Sequence, residues 1–192
     1  MSAMREEIET LIHEIEVSEK VIKGMRSYYK GILWGKEVVL VFSRWGKVAS
    51  ATTATHLITD FEVDEILFTG VAGAVNDSLE IGDVVIGDVM YQHDMDASPL
   101  VEPFVVPLLG KKYFETDPYR NQLLREAAFN FLEEIHSHCE SGVTEAFGIK
   151  KPKSLVGPVA SGDQFIADQG RRAEIVRLLP DVLCVEMEGA AV

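Results

Sequence analysis

Cysteine is nearly absent from the 192-residue chain: Cys139 and Cys184 stand far apart, with no CxxC and no Cys/His ligand spacing. That excludes a disulfide scaffold and argues against a zinc site, so no metal is assigned. Cys184 sits inside an apolar run and reads as core packing. Long apolar runs are missing too. No stretch approaches the ~20 residues that cross a bilayer, and no basic segment with an apolar stretch behind it stands at the start. No membrane segment is expected, and the cytoplasm is the expected location. Basic charge is in deficit, with 18 Lys and Arg against 31 Asp and Glu and a net charge of −13. Such a surface repels nucleic acid and anionic lipid, so neither is an expected partner. The densest acidic stretch, "REEIETLIHEIEVSE", carries Ile and Leu at helical spacing, which makes most of its charge a solvated helix face.

What is present is an ordinary globular composition, 47% hydrophobic and 26% charged, and residues 1–192 read as one domain with a real core. Met4, Ile8, Leu11, Ile12 and Ile15 recur at helical intervals. "MRSYYKGILWGKEVVLVFS" holds two β-prone runs around Trp34-Gly35, a hairpin signal, and "GKVASATTATHLITDF" follows as a helix. "DEILFTGVAGAV" reads as a short buried strand and "GDVVIGDVMYQ" as another. Pro99, Pro103 and Pro107 make residues 99–117 a long ordered loop or lid. Asp117 and Pro118 announce a helix start, as N-cap and first helical residue. "SLVGPVASGDQFI" reads as strand into loop, "ADQGRRAEIVRLLP" as helix, and "VLCVEMEGAAV" as a central strand running into a new helix. Alternating strands and helices with an early reversal predict a three-layer α/β sandwich with a mixed central sheet.

In such sheets ligands sit beyond the carboxyl ends of strands, where "TGVAGAV", "SGDQFI" and "VEMEG" all fall in this reading. The glycines of "TGVAGAV" allow close backbone approach to a ligand, although a tight strand-to-helix turn explains them as well. Neither GxxxxGK[ST] nor GxGxxG is present, so a nucleotide phosphate site has no support. Phe165 after the polar strand end suits stacking on a flat heterocycle, with the backbone of Ile166 reading its edge; a core phenylalanine is the commoner origin of such a residue. His93, Asp94 and Asp96 in "HDMDA" match no metal-ligand spacing. In "VEMEG" a period of two puts Glu186 and Glu188 on one face with Met187 opposite, unless the strand end twists them apart. A solvated strand end and a carboxylate that binds sugar hydroxyls and steadies an oxocarbenium charge are both compatible with that pattern.

Taken in order, "SAMREEIE", "RWGKVASA", "FTGVAGAV", "IGDVV", "ASGDQFI" and "CVEMEGAAV" resemble the bacterial 5′-methylthioadenosine/S-adenosylhomocysteine nucleosidases of the purine nucleoside phosphorylase superfamily. The resemblance spans nearly the whole chain; "AMREE" and "VEMEGAA" are its most specific pieces. It implies hydrolysis of the N-glycosidic bond without a cofactor, a place in methionine salvage, a homodimer, and roles for individual residues. Glu7 corresponds to the carboxylate that activates water, and Glu188 to the ligand of the ribose hydroxyls, with Met187 against the sugar and Glu186 in support. Phe165 and Ile166 correspond to the adenine-binding pair, and Val71, Ala72 and Gly73 to the strand-end segment beside the substrate.

Departures from the family pattern are Val71 in place of a serine, Trp45 in place of a smaller aliphatic, and the Pro-rich stretch where the 5′-substituent pocket is shaped. The resemblance also implies a strand before Ala3, and a helix, a strand and an acid-bearing Ser-Asp pair after Val192. The sequence as given is therefore expected to be truncated at both ends and to lack the general acid. A phosphorylase, a nucleosidase for another purine nucleoside such as futalosine, and a non-catalytic adenosine-binding fragment are the alternative readings.

Overall fold

The computed structural model describes residues 1–139 and 142–192. Two compact units emerge, one of Met1–Val71, Gly162–Gln164 and Met187–Val192, the other of Ala72–Ser161 and Phe165–Glu186.

In the first unit, helix α1 (Glu9–Glu14) precedes strands β1 (Glu16–Lys23), β2 (Arg26–Leu33) and β3 (Lys36–Val41), which pair antiparallel in that order; helix α2 (Lys47–Asp60) follows. The β2–β3 reversal falls at Trp34 and Gly35, with φ of 50° and 78°. Two successive positive φ values match the right-handed strand twist, which makes this a two-residue hairpin turn of the kind expected. Strand β3 reads as a continuous apolar run because both its faces are covered. Val39 and Val41 pack into a cluster with Met1, Tyr28 and Leu57, while Val38 and Leu40 pack with Ile8, Ile15 and Leu33.

The hairpin gains a third strand that the sequence pattern does not announce. β1 is exposed along nearly its whole length, so no face of it needs to be apolar. Its Glu and Lys side chains instead blunt the sheet edge. The expected strand over residues 64–75 shrinks to Gly73–Ala74. Residues 64–70 run without strand pairing, and Leu67 is exposed. Their backbone bonds to the Met1–Ser2 segment, through the Met1 amine to Leu67 O (2.8 Å) and Thr69 N to Met1 O (3.1 Å), while Ile66 and Phe68 pack on the cluster of Met1, Tyr28, Val41 and Leu57. Ser2 bonds in turn to Val41 and Ser43 on its other side.

The second unit holds β4 (Gly73–Ala74), β5 (Val84–Gln92), β6 (Tyr113–Glu115), helices α3 (Pro118–Glu133), α4 (Ile135–His138) and α5 (Val143–Ala146), then β7 (Ser154–Ser161), α6 (Gln169–Leu178) and β8 (Cys184–Glu186). Its sheet is mixed, in order β4-β8-β7-β5-β6, with β5–β7 and β7–β8 parallel and β4–β8 and β5–β6 antiparallel. The architecture is α/β, as the alternation predicts. β8 is interior, flanked on both sides, although β7 takes the middle place. Ile175 and Leu179 from the α6 end, Val182, Ala160 and Val185 form the core, and Phe104 anchors the Pro-rich loop in it. Asp117 caps α3 by accepting the Arg120 N–H at 2.8 Å, with Pro118 in the first turn. Among the described residues no helix is long and apolar enough to cross a membrane.

Candidate active site

Glu7 lies half-buried just ahead of α1, in a cradle of backbone amides. Its Oε2 accepts the N–H groups of Ala3 (3.0 Å) and Met4 (2.9 Å), and its Oε1 accepts that of Val71 (3.0 Å). Gly70 makes the approach possible, since a Cβ there would stand 2.9 Å from Glu7 Oε1. An ionised carboxylate offers about four acceptor positions. Three backbone donors fix its orientation and leave room for one more donor, such as a water.

Glu188, in the same unit, is 5% exposed, and its Oε1 accepts the Gly46 N–H at 2.7 Å. A carboxylate that deep in the protein requires such partners. Gly46 is the N-cap of α2 at φ 93° and has no side chain to close the helix end. Asp163, also in this unit, does so by accepting the Lys47 N–H at 2.7 Å. Both carboxylates thus meet the positive end of α2. Met187 beside Glu188 is half-buried, and Trp45 beside Gly46 is exposed.

In the second unit, Gly73 pairs with Val185 across β4–β8, and Ala72 and Gly73 are exposed. Phe165 is 86% exposed just past the end of β7, a bare aromatic face. Ile166 is half-buried against the core cluster of Ala160, Ile175 and Val185, which holds its backbone in place. Glu186 accepts a short hydrogen bond from the Ser161 hydroxyl. Cys184 has its thiol pushed up to about 12, first by burial and then by the charge of Glu186. It is therefore a packing residue and not a nucleophile.

Of the residues singled out by sequence, Glu7 and Val71 are joined directly, and Met187 and Glu188 belong to the same unit. Ala72, Gly73, Phe165, Ile166 and Glu186 belong to the second unit. The period-two expectation for "VEMEG" ends early: β8 stops at Glu186, and Glu188 has φ −132° and ψ −42°, outside strand geometry. Gly46, Ser161 and Asp163 are not singled out by sequence, and Gly70 of "TGVAGAV" makes room for Glu7. The glycine that opens "GKVASA" and the aspartate of "SGDQF" were the signals available, and neither reveals its partner, which lies far away in the chain.

Glu7 is cradled by backbone amides and Glu188 is buried at the start of a helix, both within the first unit. The chain belongs to the Phosphorylase superfamily, which it matches over residues 1–192. Among known proteins it is 32% identical to the aminodeoxyfutalosine nucleosidase of Campylobacter jejuni, over all of this chain and 75% of that one. It is 31% identical to the 5′-methylthioadenosine/S-adenosylhomocysteine nucleosidase of Staphylococcus aureus, over all of this chain and 76% of that one. Among solved structures, the Neisseria meningitidis 5′-methylthioadenosine/S-adenosylhomocysteine nucleosidase in complex with methylthio-immucillin-A superposes with a TM-score of 0.81 at 32% identity, over 99% of this chain and 74% of that one.

Proposed function

We propose that this protein hydrolyses the N-glycosidic bond of 5′-methylthioadenosine and S-adenosylhomocysteine, releasing adenine and the thioribosyl product. The observation that carries the reading is the Glu7 cradle. Three backbone donors hold the carboxylate in one orientation, as a group that positions a water must be held. In the reaction the water oxygen bonds to C1′ and one of its protons passes to Glu7, while the C1′–N9 bond breaks with its electron pair staying on the purine. The purine takes up a proton from solvent to leave as neutral adenine, balanced by the proton that Glu7 returns to solvent. Glu188 accepts hydrogen bonds from the ribose hydroxyls and steadies the positive charge that develops on the sugar. Met187 packs beside the sugar, and Glu186 has a supporting role through Ser161. Phe165 stacks on adenine, Ile166 reads its edge through the backbone, and Val71, Ala72 and Gly73 flank the substrate. Water is the nucleophile, and no cofactor takes part.

Because the superfamily includes phosphorylases by name, the nucleophile is the point to test. A fixed carboxylate at Glu7 repels phosphate, so the intact gene product should release adenine and free 5-methylthioribose at the same rate with and without phosphate. Phosphate-dependent formation of the 1-phosphate sugar would overturn the hydrolytic reading. A second reading, cleavage of aminodeoxyfutalosine, is favoured by the Campylobacter jejuni relative, 32% identical. Comparing kcat/KM for the two nucleosides decides between them.

The same reading makes the protein a cytoplasmic homodimer serving methionine salvage. The dimer is carried by the family resemblance, and the first unit exposes Ile22, Met25, Trp34 and Val48, which such an interface could cover. Support for the cytoplasm comes from Cys139 and Cys184, which are both free thiols.

A further inference from the structure

Helices usually begin at a Ser, Thr, Asp or Asn whose side chain accepts an N–H of the first turn. α2 begins at Gly46, and the acceptor for the Lys47 N–H comes from Asp163, 116 positions beyond Lys47. The fit is close: a Cβ on residue 46 would stand 2.8 Å from Asp163 Oδ1. Consecutive amides of this one turn therefore serve two carboxylates, Gly46 N–H to Glu188 and Lys47 N–H to Asp163, each at 2.7 Å. The Gly46 carbonyl is tied into the helix as well, accepting the Ser50 N–H at 3.0 Å. Consecutive peptide planes share one Cα, and a glycine at φ 93° is free to rotate unless something holds it.

We infer that Asp163 is a positioning residue for Glu188: by capping α2 in place of a side chain on Gly46, it aims the Gly46 N–H at the sugar-binding carboxylate. The inference rests on the reading of Glu188 as the ribose ligand. Asp163 does not touch the substrate in this account. Its loss lets the Gly46 peptide turn, and Glu188 then relaxes away from the sugar hydroxyls. The consequence is a specific loss in recognition of those hydroxyls, which general destabilisation does not produce.

The test measures kcat/KM of the intact gene product on 5′-methylthioadenosine and on its 2′-deoxy and 3′-deoxy analogues, with melting temperature alongside. Glu188→Ala calibrates the assay by removing most of the preference for the hydroxylated substrate. Asp163→Ala should reduce that preference by about tenfold or more, as expected when a reacting group is displaced. Asp163→Asn, which keeps an acceptor for Lys47, should restore most of it. Asp168→Ala removes a comparable cap, the acceptor of the Arg171 N–H at 2.9 Å on α6, and should lower the melting temperature with the preference intact. If Asp163→Ala does not fold, Asp163→Ser, too short to reach Lys47, carries the same expectation.

Wild-type preference in Asp163→Ala with loss in Glu188→Ala would overturn the inference and spare the Glu188 reading. An equal fall in Asp168→Ala would also overturn it, as a stability effect. Full preference in Glu188→Ala would overturn the Glu188 reading and the inference with it.

Discussion

At the level of single residues, the two carboxylates given roles in the chemistry are held by backbone amides. Glu7 is constrained on one side by Gly70, whose missing Cβ leaves the space its carboxylate occupies. Gly70→Ala puts a methyl 2.9 Å from Oε1 and forces the carboxylate to shift. kcat/KM should fall by about 10²-fold with little change in melting temperature; an unaltered kcat/KM would contradict the cradle's role. The cysteines give an independent check. With its thiol raised to about 12 and buried, Cys184 should resist alkylation at pH 8 in the folded protein and react only in denaturant, while half-buried Cys139 reacts in both, as peptide mass spectrometry would show.

At the level of elements, the turn ahead of β5 is pinned to the start of β7 by Asp83. Its carboxylate accepts the Glu80 N–H (2.9 Å), the Lys153 N–H (2.8 Å) and the Lys153 ammonium (2.7 Å). Burial pushes this carboxyl up, but the bonds from Lys153 and Glu80 outweigh it and hold the group below the usual carboxylate range. A carboxyl lowered on folding adds stability that is present above its unfolded value, ~4, and is lost as pH falls through the folded value. Asp83→Asn should therefore destabilise at pH 7 by about 1–3 kcal/mol. Its deficit against wild type should shrink below pH ~4 in denaturant titrations, and a pH-independent deficit would contradict the assignment. Elements with local signals were legible in the sequence: the hairpin from Trp34-Gly35, and α3 from Asp117 and Pro118. β1 was not, because an exposed charged edge strand has no apolar face to show. Residues 64–70 were misread as strand, since an apolar run marks burial potential and cannot show how little backbone is there to pair with it.

On the scale of the whole molecule, the motifs named candidate site residues but not what holds them. Val71 reaches Glu7 across 64 positions and Gly46 reaches Glu188 across 142, separations at which no local pattern carries information. The α/β class and the family were legible because they depend on element order and on several separated motifs at once. For the same reason the substrate was legible as 5′-methylthioadenosine or S-adenosylhomocysteine, with the preferred 5′-substituent left to assay. Sedimentation of the intact gene product should give a concentration-independent dimer mass at micromolar protein, and a monomer throughout would contradict the homodimer.

The central claim is that Glu7 activates the attacking water, and Glu7→Gln tests it most directly. Glutamine keeps the size and one carbonyl acceptor of the side chain but cannot take the proton of a water. Adenine release from 5′-methylthioadenosine should fall by about 10³-fold or more, while methylthio-immucillin-A still binds. Turnover at the wild-type rate in Glu7→Gln would contradict the account.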